Sequence, residues 1–117
     1  MEIDDRPLTV YRIVKTFPPD FDREYTTSEK RFNTSRQPDN IRRASAGLSV
    51  FRSFKSVVNQ QAKYPMLGTL IVRYRIPSNS PVAVWHLTGS EDHWTVFCDP
   101  PSKLHDYLDS GWVHETI

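Results

Sequence analysis

Five short runs of β-branched and aromatic residues constrain this chain more than anything else in it. They occupy 8–14, 48–52, 69–76, 82–87 and 93–97, and each is closed by glycine, proline or a polar turn. Runs of this length and composition read as strands. The run at 69–76, Thr-Leu-Ile-Val-Arg-Tyr-Arg-Ile, is the clearest of them. Helical spacing is strongest at 53–62, where Phe54, Val57, Val58 and Gln61 recur on one face and Ser53 stands ready as the N-cap. Tyr64-Pro65 stops that helix. The expected class is therefore α+β, a sheet with one firm helix and a few short ones.

The connections add detail. Pro18-Pro19 ends the first run, and the polar stretch from Asp20 to Arg43 follows without a clear apolar period. A connection this long is more often functional than idle. A short helix is expected within 20–31 or 39–45, another around Leu104, Tyr107 and Leu108, and a final strand at Trp112-Val113-His114.

At 117 residues the chain fits one domain, 1–117, with a modest core. A net charge of +1 offers no bulk attraction for nucleic acid or an anionic membrane. The single cysteine, Cys98, excludes an internal disulfide framework and a cysteine-based metal site, and it reads as a small buried residue rather than a nucleophile. His86, His105 and His114 show no metal-ligand spacing, so no metal is expected. No apolar run approaches the roughly 20 residues of a membrane span, and no membrane partner is expected. The opening Met1-Glu-Ile-Asp-Asp5 is acidic and unlike a signal peptide, so any export is expected to use another route.

Three strands carry one polar residue each in an apolar setting: Arg12, Ser49 and His93, the last with Glu91 close by. An arginine inside a strand is costly to bury unless it meets an acceptor or an anion. Tyr11, Phe51, Trp85 and Trp94 offer aromatic faces. Each has a plainer reading. Arg12 suits a solvent-facing charge, Ser49 an ordinary strand residue and His93 the surface start of a strand. Glu91 suits a turn, and Trp85 and Trp94 suit the core. Arg31, Arg36, Arg42 and Arg43 suit a solvated basic face or a surface that steers an anionic partner.

The order of an arginine strand, a long variable segment, a Gly-x-Ser-x-Phe strand, a helix and then paired strands resembles the ADP-ribosyltransferase superfamily, most closely its small toxin-type members. Val10-Tyr11-Arg12 and Gly47-Leu-Ser-Val-Phe51 carry the likeness. It implies a split β-sheet core and NAD as substrate. Arg12 would contact the phosphates or ribose, with Ser49 on the nicotinamide–ribose side and Tyr11 and Phe51 as further cofactor contacts. The family's third element is usually a glutamate. Here His93 stands in that place with Glu91 two residues earlier, and these two would be the catalytic pair. Two of the family's three hydroxyl positions on the second strand are the apolar Leu48 and Val50. The RES-type NAD-degrading toxins are more distantly similar through the Tyr-Arg strand and Arg31-Phe32-Asn33. The resemblance further implies an acceptor macromolecule, a cognate antitoxin or immunity protein, and a cytoplasmic site of action reached without a cleaved signal.

Two other classes fit the same residues. A small ribonuclease toxin would use His93 and His86 for proton transfer with the basic segment on phosphate, so nucleic acid stays open as a partner. A non-enzymatic interaction domain would use the basic loop as its contact surface and show no cleft near Arg12.

Overall fold

Alternation of side chains along the strands builds the molecule, because every second residue of an extended chain faces the same side. The computed structural model describes residues 8–20, 24–25, 27, 36–77, 79–86 and 92–115. The strands are β1 (Leu8–Val14), β2 (Leu48–Phe51), β3 (Leu70–Ile76), β4 (Ala83–Trp85), β5 (His93–Phe97) and β6 (Leu108–Glu115). The α-helices are α1 (Asp39–Ala44) and α2 (Phe54–Lys63), with 3-10 helices at Pro65–Leu67 and Pro101–Tyr107.

The strands form one six-stranded sheet in the order β4-β5-β2-β1-β3-β6, with every neighbouring pair antiparallel. The pairing is uneven. β1 and β3 run in register from Leu8↔Ile76 to Val14↔Leu70, whereas β1 and β2 meet at the single pair Tyr11↔Phe51. The fold is thus a mixed α/β domain dominated by an antiparallel sheet with few helices.

The first face carries the main core. Leu8, Val10 and Val14 of β1 join Leu48 and Val50 of β2, Val72, Tyr74 and Ile76 of β3, Val84 of β4, and Trp94 and Val96 of β5. Leu104 of the second 3-10 helix and Tyr25 close over it. The second face is covered by α2, whose fully buried Val57 packs with Phe51 and Ile71, flanked by half-buried Tyr11, Ile13 and Trp112.

Local chemistry explains α2. Ser53 Oγ accepts from the Ser56 N–H at 3.1 Å, the expected N-cap, and Lys63 sits in the last turn where a cation suits the helix dipole. Gln61 is buried on the helix's inner side, and its Nε2 donates to the Gly68 carbonyl at 3.1 Å, so the amide is not left bare. Gly68 itself has φ +143°, and a Cβ there would lie 2.2 Å from the Val14 carbonyl oxygen. Glycine alone allows this crossing of the end of β1. Gly47 lies equally tight against β5, where a Cβ would meet Thr95 Cγ2 at 2.4 Å.

The expected strands at 8–14 and 93–97 match β1 and β5 in full. The run at 82–87 yields only the three residues of β4. Its neighbour His86 lies outside the strand, and Leu87 lies outside the described residues. The final strand is longer than expected, beginning at Leu108 rather than Trp112. The expected helix near 39–45 is α1, and the one near Leu104 takes the 3-10 form. Most of 20–31 lies outside the described residues. No helix among the described residues is long and apolar enough to cross a membrane.

Candidate functional site

Strand parity decides where each candidate side chain goes. Tyr11 pairs with Phe51, and Phe51 pairs with His93, so these three share the face covered by α2. Ser49 pairs with Thr95 on that same face and is exposed. Arg12 alternates with Tyr11 and belongs to the opposite face, in line with Val10 and Val14. The sheet therefore gathers Tyr11, Ser49, Phe51 and His93 on one side and places Arg12 on the other. Glu91 and the Arg31-Phe32-Asn33 segment lie outside the described residues.

Arg12 lies where β1 and β2 part. Its Nε donates to the Ser49 carbonyl at 3.0 Å, and its Nη1 donates to the Glu24 carbonyl at 2.6 Å. The meeting of Arg12 with Ser49 is thus through backbone, not through the hydroxyl. Arg12 also lies over the Tyr25 ring, 5.9 Å from its centroid. Behind it the Tyr25 hydroxyl is hydrogen-bonded to the Tyr74 hydroxyl at 2.9 Å and to His105 Nδ1 at 2.8 Å. Burial raises the pKa of both phenols, so both stay protonated and neutral. Burial also pushes the Cys98 thiol up to about 11, which leaves it a poor nucleophile, as its apolar setting suggested.

His93 stacks on Phe51, with ring centroids 4.9 Å apart and an interplanar angle of 13°. Burial, and after it the nearby charge of His86, lower its pKa below the ordinary 6.5. His86 in turn lies against Trp94, with centroids 4.7 Å apart. The guanidinium of Arg52 lies 5.8 Å from the centroid of the same Trp94. At one end of the sheet His86 and Arg52 thus meet at Trp94, 6% exposed and part of the main core, while the His93 ring lies with Phe51 on the face covered by α2. Neither Arg52 nor this grouping stood out in the sequence, since an arginine at a strand end reads as solvated.

Asp92 fixes that end. Its carboxylate Oδ2 accepts from Ser56 Oγ at 2.6 Å and Ser53 Oγ at 3.2 Å, and its carbonyl accepts from the Arg52 N–H at 3.0 Å. The start of β5 is thereby bound to the N-terminus of α2, where a negative charge is favoured.

Tyr11 and Phe51 serve packing. Phe51 is buried under α2, and Tyr11 makes ring contacts with Phe54 at 5.9 Å and Trp112 at 5.5 Å. Beside them Arg73 stands over Trp112 and donates to Asp109, and this hydrogen bond holds the Asp109 carboxyl below its usual range. Among the described residues no group of three His, Cys, Asp or Glu could hold a metal.

The lowered His93 pKa has a consequence for stability. The unfolded chain, titrating near 6.5, takes up a proton before the folded one does, so stability falls as pH drops below about 6.5 and levels off once the folded imidazole is also charged. His93→Phe, which can keep the stack on Phe51, will flatten that part of the curve. Thermal melts of both proteins from about pH 8 to about pH 5 test this. Parallel curves would show that His93 is not held neutral.

No protein-family model, no curated protein and no solved structure matches this chain.

Proposed function

We propose that this domain cleaves the nicotinamide–ribose bond of NAD, as an ADP-ribosyltransferase or NAD glycohydrolase on an ADP-ribosyltransferase-like fold. The observation that carries the reading is His93, an imidazole kept neutral by burial and stacked on Phe51 at the start of β5. Breaking the bond to nicotinamide builds positive charge on the ribose. A charged imidazolium would oppose that charge, whereas a neutral one can accept a hydrogen bond from a ribose hydroxyl and stabilise it. The chain order supports the reading: an arginine strand, a connection, the Gly47–Phe51 segment, a capped helix and then paired strands. So does the one-pair joint between β1 and β2, with Arg12 spanning the parting. In this reading Arg12 shapes the opening, and Glu91 is a second candidate for the ribose contact. An acceptor macromolecule, toxicity through NAD loss and a neutralising protein partner belong to the same proposal.

Nicotinamide release by purified protein tests it. The wild type is expected to release nicotinamide, and His93→Phe, which keeps a ring for the stack on Phe51 but cannot accept a hydrogen bond, to lose about 100-fold or more. Absence of release by the wild type, with and without cell extract as a source of acceptor, overturns the reading.

One observation favours a second reading. The charge of His86 reaches His93, a pairing of two imidazoles suited to proton transfer around an RNA phosphate. Cleavage of single-stranded RNA that fails in both His86→Ala and His93→Gln would move the ribonuclease ahead.

A further inference from the structure

The stack of His93 on Phe51 is held from both sides by consecutive residues of α2. Val57, fully buried, packs on Phe51. Its neighbour Ser56 donates through Oγ to Asp92 Oδ2 at 2.6 Å, and Asp92 immediately precedes His93. A bond this short from a hydroxyl to a carboxylate is of the strong, charge-assisted kind. Ser53 Oγ donates to the same carboxylate oxygen at 3.2 Å while it accepts from the Ser56 N–H at 3.1 Å. Ser53 alone thus caps α2, and the Asp92 carboxylate is not needed for that task. The Asp92 carbonyl accepts from the Arg52 N–H at 3.0 Å, one step past Phe51↔His93 on the β2–β5 ladder. Asp92 is therefore fixed through backbone and side chain together, and the next residue, His93, is the first of β5. The backbone bond sets where the strand begins. The carboxylate draws that beginning toward α2, on the face where the imidazole stacks.

We infer that Asp92, drawn in by Ser53 and Ser56, is the positioning residue for His93: it holds the imidazole in its stack on Phe51 and away from water. Its part in catalysis rests on the NAD reading above, whereas the positioning itself does not.

Imidazole NMR titration of the full chain tests the assignment together with nicotinamide release, the His93 signal being identified by its loss in His93→Phe. If Asp92 works by position, Asp92→Ala lets water reach the ring, and the His93 pKa rises toward the ordinary 6.5. If the carboxylate acted on the ring as a charge, its removal would lower that pKa instead. His86, whose charge reaches the ring, is unchanged in every variant. The expected result is the rise, with kcat for nicotinamide release down about tenfold or more and KM little changed. Asp92→Asn, which keeps an acceptor for the hydroxyls without the charge, should fall between the wild type and Asp92→Ala. Ser56→Ala should raise the pKa in the wild type and add nothing in Asp92→Ala, because the two residues act through one bond. Thermal melts establish that the variants are folded. A His93 pKa that stays at its wild-type value in Asp92→Ala and Asp92→Asn, or falls, overturns the assignment whether or not NAD is cleaved. A rise without nicotinamide release by the wild type supports the positioning and removes the NAD reading.

Discussion

Gly68→Ala is expected to remove about 4 kcal/mol of folding stability, close to the limit of what a domain of this size tolerates. Two costs combine. The residue has φ +143°, which an L side chain rarely adopts and which costs about 1–3 kcal/mol. The added methyl would also lie 2.2 Å from the Val14 carbonyl oxygen and 2.6 Å from its carbon, both backbone atoms of β1. Backbone at the end of β1, paired there with Leu70 of β3, cannot swing aside as a side-chain tip does, so relief requires β1 and the α2–β3 connection to separate, at roughly 1–3 kcal/mol more. Separation would also stretch the Gln61 bond to the Gly68 carbonyl and expose a buried amide. Urea titration should show the midpoint collapsing in Gly68→Ala. Gly111→Ala, where the new methyl meets nothing closer than 3.8 Å, should melt like the wild type. Equal midpoints for the two variants would show that β1 does not run against the Gly68 turn.

Arg12→Met is expected to cost about 3 kcal/mol. Methionine keeps much of the apolar stem but donates nothing. The Ser49 and Glu24 carbonyls lose a charged donor, and such bonds contribute about 1.5–3 kcal/mol each, with the Ser49 bond at the lower end because it is solvent-exposed. The loss falls where the ladder is thinnest, since β1 and β2 share only Tyr11↔Phe51. Arg12→Lys should recover part of the stability, because one ammonium can reach one carbonyl but cannot fork between two. Thermal or urea unfolding of the three proteins measures this. A full-stability Arg12→Met variant would mean that the guanidinium is free for other work, and it would return Arg12 to the centre of the search for an anion contact.

Much of the sheet was legible because strand signals are local. In 8–14 and 93–97 the β-branched and aromatic content and the flanking breakers define both strand and limits, and Ser53 announces α2 by its own chemistry. β6 was under-read for a physical reason. Leu108-Asp-Ser-Gly111 has little intrinsic strand preference, and it becomes a strand because β3 offers it an edge. The candidate site was less legible. Val10, Arg12 and Val14 share parity, and the structure puts Arg12 on the main-core face rather than at the solvent-facing position of its plainer reading. Nothing local in the sequence announces the two carbonyls, from distant segments, that wait there. Phe51 looked available for a ligand, yet its burial depends on Val57 arriving from α2. The stack of Phe51 on His93 needs the β2–β5 register, and no local pattern encodes a register between strands some forty residues apart.

The single-pair joint between β1 and β2 has a mechanical meaning. It makes the sheet two three-stranded plates, β4-β5-β2 and β1-β3-β6, sewn together by one stitch. On one side α2 is the strap, pressing on Phe51 of one plate and Ile71 of the other; on the reverse side Arg12 is the buckle. His93 and Phe51, the stacked pair proposed to carry the chemistry, both ride on the first plate, while Tyr74 and Trp112 ride on the second. A force that tilts one plate against the other leaves that stack internally undisturbed and changes only the width of the seam beside it. Stiffness in the site and compliance at its border are thus assigned to different parts of the same sheet.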